Sequence, residues 1–277
     1  MNLTSLKDPE NWERRIAIAK KQLIQAFKHP CESKPVFVLG KQRSGTSMLM
    51  NCFHRHPASL VFDEHRNNPA FERHRLRSAD TIRGLLEQSR LPVVCFKPIC
   101  DSHRIGELYD EFPAAHFIWL YRSFEDVSNS TLRKFDAPTH AIRLICANQP
   151  GGGWLQEGVS PRMADVLKDI YRPDLSDFDF ACLSWWLRNQ IIVESGLIGA
   201  PNLTFVKYEA LVLQPTQMLE WLFDRIEIGY RKGIERKITA RFIGRNVIPE
   251  MDERIQHLCV ATLDSLDRAF LAGRPPD

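Results

Sequence analysis

The 277-residue sequence has no apolar run near the roughly 20 residues that cross a bilayer. No membrane-spanning segment is therefore expected. Residues 1–21 are punctuated by charges and lack the apolar centre of a secretory leader. Cysteine pairing is missing too: the seven cysteines (31, 52, 95, 100, 146, 182 and 259) are scattered, and no Cys-x-x-Cys occurs. That spacing speaks against a structural zinc site or a dithiol redox centre. Cys95, Cys146 and Cys182 sit in apolar stretches and read as buried reduced thiols, which predicts a cytoplasmic setting. Charge of one sign is scarce as well. Lys and Arg number 37 against 34 Asp and Glu, a net +3, too small to imply a nucleic-acid partner. No repeat, low-complexity tract or linker divides the chain.

What is present is an alternation of short apolar runs and helical patterns. Pro35–Leu39, Val93–Phe96, His116–Tyr121 and Leu203–Val206 read as buried strands. Helices are expected from Asp8-Pro9-Glu10 to about His29, and over 46–56, 68–88, 102–112, 124–134, 178–195 and 215–225. Apolar strands alternating with helices imply a parallel sheet covered on both faces. The expected fold is one three-layer α/β domain over residues 1–277, with a phosphate-binding loop after the first strand and a helical C-terminal end. Residues 135–176, with Pro150-Gly151-Gly152-Gly153 inside, are the least regular stretch and are expected to be an insertion near a binding site.

The most informative segment is Val36-Phe37-Val38-Leu39-Gly40-Lys41-Gln42-Arg43-Ser44-Gly45-Thr46-Ser47. A glycine-bounded loop between a buried strand and a helix turns backbone N–H groups toward an anion at the positive helix end. Gly40, Gly45 and Ser47 match the spacing G-x-x-x-x-G-K-[ST], but Thr46 stands where that pattern has lysine. The strand His116–Tyr121 is followed by Arg122 rather than by an acid that would help hold Mg²⁺. The pair of departures predicts a phosphate site that works without a metal.

Gln42-Arg43-Ser44-Gly45-Thr46-Ser47 after a buried strand resembles the 5′-phosphosulfate loop of sulfotransferases that use 3′-phosphoadenosine 5′-phosphosulfate (PAPS). Arg122 with Ser130 eight residues later resembles the family's 3′-phosphate motif, and Val206-Lys207-Tyr208-Glu209-Ala210-Leu211 its third recurring segment. In spacing the chain is similar to the tyrosylprotein sulfotransferase branch. His56-Pro57 followed by Asp63-Glu64-His65-Arg66 resembles that branch's His-Pro and Glu-Glu-x-Arg segment. Phe96-Lys97-Pro98 stands in the place of its catalytic lysine, 25 residues before Arg122. The branch's peptide substrate is not carried over.

The resemblance implies a PAPS-dependent sulfotransferase that passes the sulfuryl group to a hydroxyl or amine by in-line displacement. It implies that Lys41, Gln42, Arg43, Ser44, Gly45, Thr46, Ser47, Arg122 and Ser130 bind PAPS, and that Glu64, Lys97 and Arg43 are catalytic. Lys97 would stabilise the sulfuryl and bridging oxygens, and Arg43 the leaving oxygen. Glu64 is the candidate base, with Asp63, His65 and His56 as competitors. Lys41 could equally be a solvated loop cation, and Arg122 could pair with Asp126 at i+4. Arg231-Lys232-Gly233 resembles another 3′-phosphate contact of the family without its downstream residues. Trp185-Trp186 reads as core. Arg66, Arg73, Arg75 and Arg77 read as a solvated face or an anionic-acceptor patch, and Trp154 could line an acceptor pocket. The acceptor would be a small molecule, saccharide or lipid. The alternatives are a Mg-nucleotide kinase or NTPase, and a non-catalytic nucleotide-binding fold member.

Overall fold

The computed structural model describes residues 21, 31–64, 68–240, 243 and 248–274. The helix expected before His29, apart from Lys21, lies outside the described residues, as do His65 and Arg66.

Five strands form one parallel sheet in the order β2-β5-β1-β6-β7. They are β1 (Lys34–Gly40), β2 (Ser59–Asp63), β5 (Val93–Lys97), β6 (His116–Tyr121) and β7 (Leu203–Lys207). Val36 to Leu39 and Phe117 to Tyr121 are fully buried at consecutive positions. Successive strand residues point to opposite faces, so both faces of the sheet are covered. Register is marked by a row of rings. Phe62 lies opposite Phe96, and Phe37 lies between Phe96 and Phe117. Their centroids are 5.6, 5.4 and 5.4 Å apart in that order. Such cross-strand stacking fixes register, and here it brings Asp63 at the end of β2 level with Lys97 at the end of β5.

Four strands match the apolar runs. The edge strand β2 was not expected, because Ser59–Asp63 is short and mostly half-buried. A helix over 68–88 is not what forms. Phe71–Glu72 (β3) and Arg75–Leu76 (β4) make an antiparallel hairpin whose turn residues, Arg73 and His74, are left-handed at φ 47 and 67°. The Asn68 side chain accepts the backbone N–H groups of Ala70 and Phe71, an arrangement that competes with helix. A helix follows only over Ala79–Gln88, after the Ser78 cap.

Helix α1 (Thr46–Arg55) follows the loop after β1. The expected 102–112 helix is a 3₁₀ turn, Ile99–Arg104, running into a short α-helix, Ile105–Glu111. Residues 135–176 hold two helices, Thr139–Cys146 and Pro161–Ile170, around the glycine-rich stretch. The long helix Asp177–Glu194 starts in a capping box of Ser176 and Asp179 and is buried almost all round. Trp185 and Trp186 are buried in it, and the Trp185 indole donates to the Arg122 carbonyl at 3.0 Å. The C-terminal helix Glu253–Gly273 packs on that helix and on β7. Its Asp267 accepts bonds from Tyr121 Oη and Lys207 Nζ, both at 2.7 Å. Among the described residues, no helix is long and apolar enough to cross a membrane.

Candidate functional site

The loop after β1 is shaped by two close approaches. Gly40 has φ 134°, and a Cβ there would lie 2.3 Å from the Leu120 carbonyl oxygen on β6. Gly45 has φ 98°, and its Cβ would lie 2.4 Å from Tyr208 Cδ2. Both positions therefore require glycine. Arg43 between them is also left-handed, at φ 73°. No side chain caps the start of α1, so its first-turn N–H groups face the loop. Gly45→Ala is expected to be destabilising by about 2 kcal/mol or more, from positive φ plus the clash with the Tyr208 ring. A melting temperature equal to that of the parent would contradict this.

Beside the loop lies a cavity of about 880 Å³. Gly45, Thr46, Ser47, Arg43, Arg122 and Ser130 line it, joined by Arg55, Arg133, Lys134 and Lys237. Among the described residues no carboxylate lines it. Arg43 Nε donates to Ser130 Oγ at 3.0 Å, bridging two segments 87 residues apart. Burial, then Arg133 and Arg122, lower the affinity of the Arg43 guanidinium for its proton. Arg122 donates to Asp126 Oδ2 at 2.7 Å, the i+4 pair, and its guanidinium also stacks 4.3 Å from the Tyr208 ring centroid. Tyr208 thus supports both Arg122 and Gly45. Its neighbour Glu209 accepts the Ser123 N–H at 3.0 Å, at the start of the helix Phe124–Leu132 that carries Ser130.

Lys97, Glu64, Lys41, Gln42 and Ser44 do not line the cavity. Lys97 is 1% exposed. Its ammonium donates to Ser47 Oγ at 3.2 Å and lies 3.6 Å from Asp63 Oδ1, while Asp63 Oδ2 is 3.0 Å from His54 Nε2. A chain His54–Asp63–Lys97–Ser47 thus runs to the second residue of α1. Glu64 is buried, and its Oε2 accepts the Cys100 N–H at 3.1 Å. Burial pushes its carboxyl up to about 7, against the opposing pull of Lys97 and of the Cys100 and Ile99 N–H groups. Gln42 Nε2 reaches Cys100 Sγ at 3.9 Å, Ser44 is buried, and Lys41 Nζ lies 5.1 Å from the Trp154 ring centroid.

His56 does not compete as a base. Its Nδ1 accepts the Ala58 N–H at 3.2 Å, which leaves Nε2 as the protonated nitrogen, 2.9 Å from the Gly229 carbonyl. Burial lowers its proton affinity, and its ring packs edge-on to Phe223. Arg231-Lys232-Gly233 does not line the cavity; Ile234, Lys237, Ile238 and Thr239 do. Within the basic stretch, Arg75 pairs with Asp101 and Glu157, and Arg77 with Glu72. Arg55, Arg133, Lys134 and Lys237 were missed from the sequence. Arg133 and Lys134 carry a readable signal, three and four residues beyond Ser130, in the turn that ends its helix.

No protein-family model matches the chain, and no curated protein matches it in sequence. Solved structures do resemble it. The sulfotransferase domain of the curacin biosynthetic pathway aligns at 14% identity and TM-score 0.49, covering 84% of this chain and 98% of that one. The sulfotransferase domain of the Synechococcus PCC 7002 olefin synthase aligns at 16% and 0.48, covering 85% and 98%. A sulfotransferase from Alicyclobacillus acidocaldarius aligns at 14% and 0.48, covering 89% and 98%. All three are sulfotransferases. The likeness is one of chain trace and says nothing about which substrates this chain takes.

Proposed function

We propose that this chain is a sulfotransferase that takes its sulfuryl group from PAPS and passes it to a hydroxyl or amine acceptor. The observation that carries the reading is the cavity: cations from separate segments meet around a phosphate-type loop, and among the described residues no carboxylate lines it. A site for a magnesium nucleotide needs a carboxylate or its equivalent for the metal; this one suits a bare polyanion. Its volume is ample for a nucleotide bisphosphate.

When bound, PAPS supplies an activated sulfuryl group on a phosphate leaving group. The loop N–H groups with the Thr46 and Ser47 hydroxyls hold its 5′-phosphate end. Arg122 and Ser130 hold the 3′-phosphate, with Arg43 between the two ends. The Arg122 guanidinium is held over the Tyr208 ring and by Asp126, and a phosphate would share it with Asp126 or displace that carboxylate. Lys97, held at Ser47 by Asp63, would stabilise negative charge growing on the sulfuryl and bridging oxygens as the S–O bond to the phosphate breaks. Glu64 accepts the acceptor proton. Asp63, the competing carboxylate, is already engaged by Lys97 and His54, whereas burial keeps Glu64 near neutral-pH titration.

Titration with 3′-phosphoadenosine 5′-phosphate, without Mg²⁺, tests the reading. Binding should stabilise the fold, by about 2.7 kcal/mol at a hundred times Kd. A requirement for Mg²⁺ and a nucleoside triphosphate, with no response to the bisphosphate, would replace it with a kinase or NTPase. Arg122→Ala is expected to weaken bisphosphate binding about 10- to 100-fold, the loss of one or two charge-assisted bonds. Arg122→Lys should recover only part of it, because the fork is lost. Parent-like affinity in Arg122→Ala, read by calorimetry, would remove this arginine from the site.

A further inference from the structure

Among the described residues a second group of buried cations lies outside the nucleotide cavity. Lys41 is 3% exposed and Arg188, on the helix Asp177–Glu194, is 1% exposed. Both meet one indole: Lys41 Nζ is 5.1 Å and Arg188 Cζ 4.9 Å from the Trp154 ring centroid. Arg188 Nη2 donates to the Trp154 carbonyl at 2.7 Å, while its Nε and Nη1 are buried without a hydrogen-bond partner. Among the described residues neither cation makes an ion pair. The nearby acids are engaged elsewhere, Asp101 by Arg75 and Glu157 by Arg75 and His103. Burial first, then repulsion from Arg188, pushes Lys41 down to about 7, and burial brings Arg188 to about 10.

Two buried cations on one ring are unfavourable, so Lys41 gives up its proton near neutral pH unless something negative joins the pair. Cation–π contact offsets only part of that cost. The cluster adjoins the proposed base. Cys100 gives its N–H to Glu64, its carbonyl accepts from Arg75 Nη1 at 3.0 Å, and its thiol meets Gln42, the loop neighbour of Lys41. Trp154 is only partly buried, so of the three side chains it is the indole that solvent reaches, and the two cations lie behind it. The segment carrying it is pressed close: Gly158, at φ 78°, would put a Cβ 2.5 Å from His103 Cβ.

We infer that Lys41 and Arg188, set about Trp154, form an anion subsite on the acceptor side that selects acceptors bearing a carboxylate, sulfate or phosphate group. This rests on the sulfotransferase reading for the word acceptor, though not for the subsite itself. An anion reaching past the indole would bond the unpartnered Arg188 nitrogens and balance the charge of Lys41. The acceptor hydroxyl would then be fixed beside Glu64.

The test uses two probes that differ only in charge, 4-hydroxybenzoate and 4-hydroxybenzamide, titrated by calorimetry into protein saturated with 3′-phosphoadenosine 5′-phosphate. The carboxylate should bind at least tenfold tighter, inorganic sulfate should compete with it, and Lys41→Met should abolish the preference. Lys41→Met folds at least as well as the parent by this account, since it deletes a repelled buried cation. Arg188→Gln is the second variant. No preference in the parent, or one that survives in Lys41→Met, overturns the subsite. If the bisphosphate itself fails to bind, the sulfotransferase reading falls. The Lys41-dependent part of sulfate binding to the free protein then decides the subsite alone.

Discussion

Lys97→Ala is expected to keep bisphosphate affinity within about threefold of the parent and to lose roughly 10²–10³ in turnover, the scale for removing one transition-state charge contact. The split follows from position. Lys97 does not line the cavity that would take the nucleotide, so ground-state binding has little to lose. Its ammonium instead reaches Ser47 Oγ from the end of β5, at the first turn of α1. A charge that acts only as negative charge develops changes kcat and leaves binding alone. The cost to the fold is bounded, because Asp63, left behind by Lys97, still has His54 at 3.0 Å. Lys97→Met keeps the packing of the stem and should show the same loss of turnover. Transfer of the labelled sulfuryl group from PAPS to an acceptor in single-turnover mixing measures the chemistry, and calorimetry measures the binding. Equal losses in both, or turnover like that of the parent, would take Lys97 out of the mechanism.

How far the sequence could be read depends on how local each signal is. Four of the five strands, the three inner ones and β7 at the far edge, announce themselves by largely apolar runs because they are buried, as at Val36–Leu39. The edge strand Ser59–Asp63 has no such run, and with it the Asp63–Lys97 pairing stayed hidden, since strand register is a property of the sheet. Residues 68–88 looked helical by pattern, but the Asn68 side chain and the left-handed pair Arg73–His74 commit the first half to a hairpin. In the site, Arg43, Arg122 and Ser130 were legible because each sits in a segment with a defined backbone task. Arg133 and Lys134 follow Ser130 closely in sequence, whereas Arg55 and Lys237 share only a destination in space. The net charge of +3 gives no hint of them, because the acids that balance it lie elsewhere on the chain.

Glu64→Gln should separate catalysis from stability through pH. In the parent, burial raises the carboxyl from 4.5 to about 7, so the folded state holds its proton more tightly than the unfolded state does. The sign follows from linkage: the protonated form carries no penalty below about pH 4.5, the penalty grows as pH climbs, and it is complete above about 7. A shift of this size corresponds to about 3 kcal/mol. Glutamine keeps an acceptor for the Cys100 N–H and never ionises. Glu64→Gln is therefore expected to melt a few degrees above the parent at pH 8 and level with it at pH 4.5. Turnover should fall roughly 10²–10⁴, the range for losing a general base. What activity remains should lack the rise through pH 7 expected of the parent, because the carboxyl whose deprotonation would drive it is gone. Thermal melts at the two pH values and a pH–rate profile on both proteins supply the readouts. A variant with parent-like turnover, or with the same rising limb, would shift the role of base away from Glu64. A variant less stable than the parent at pH 8 would mean that the ionised carboxylate, held by Lys97 and the Cys100 N–H, supports the fold instead of straining it.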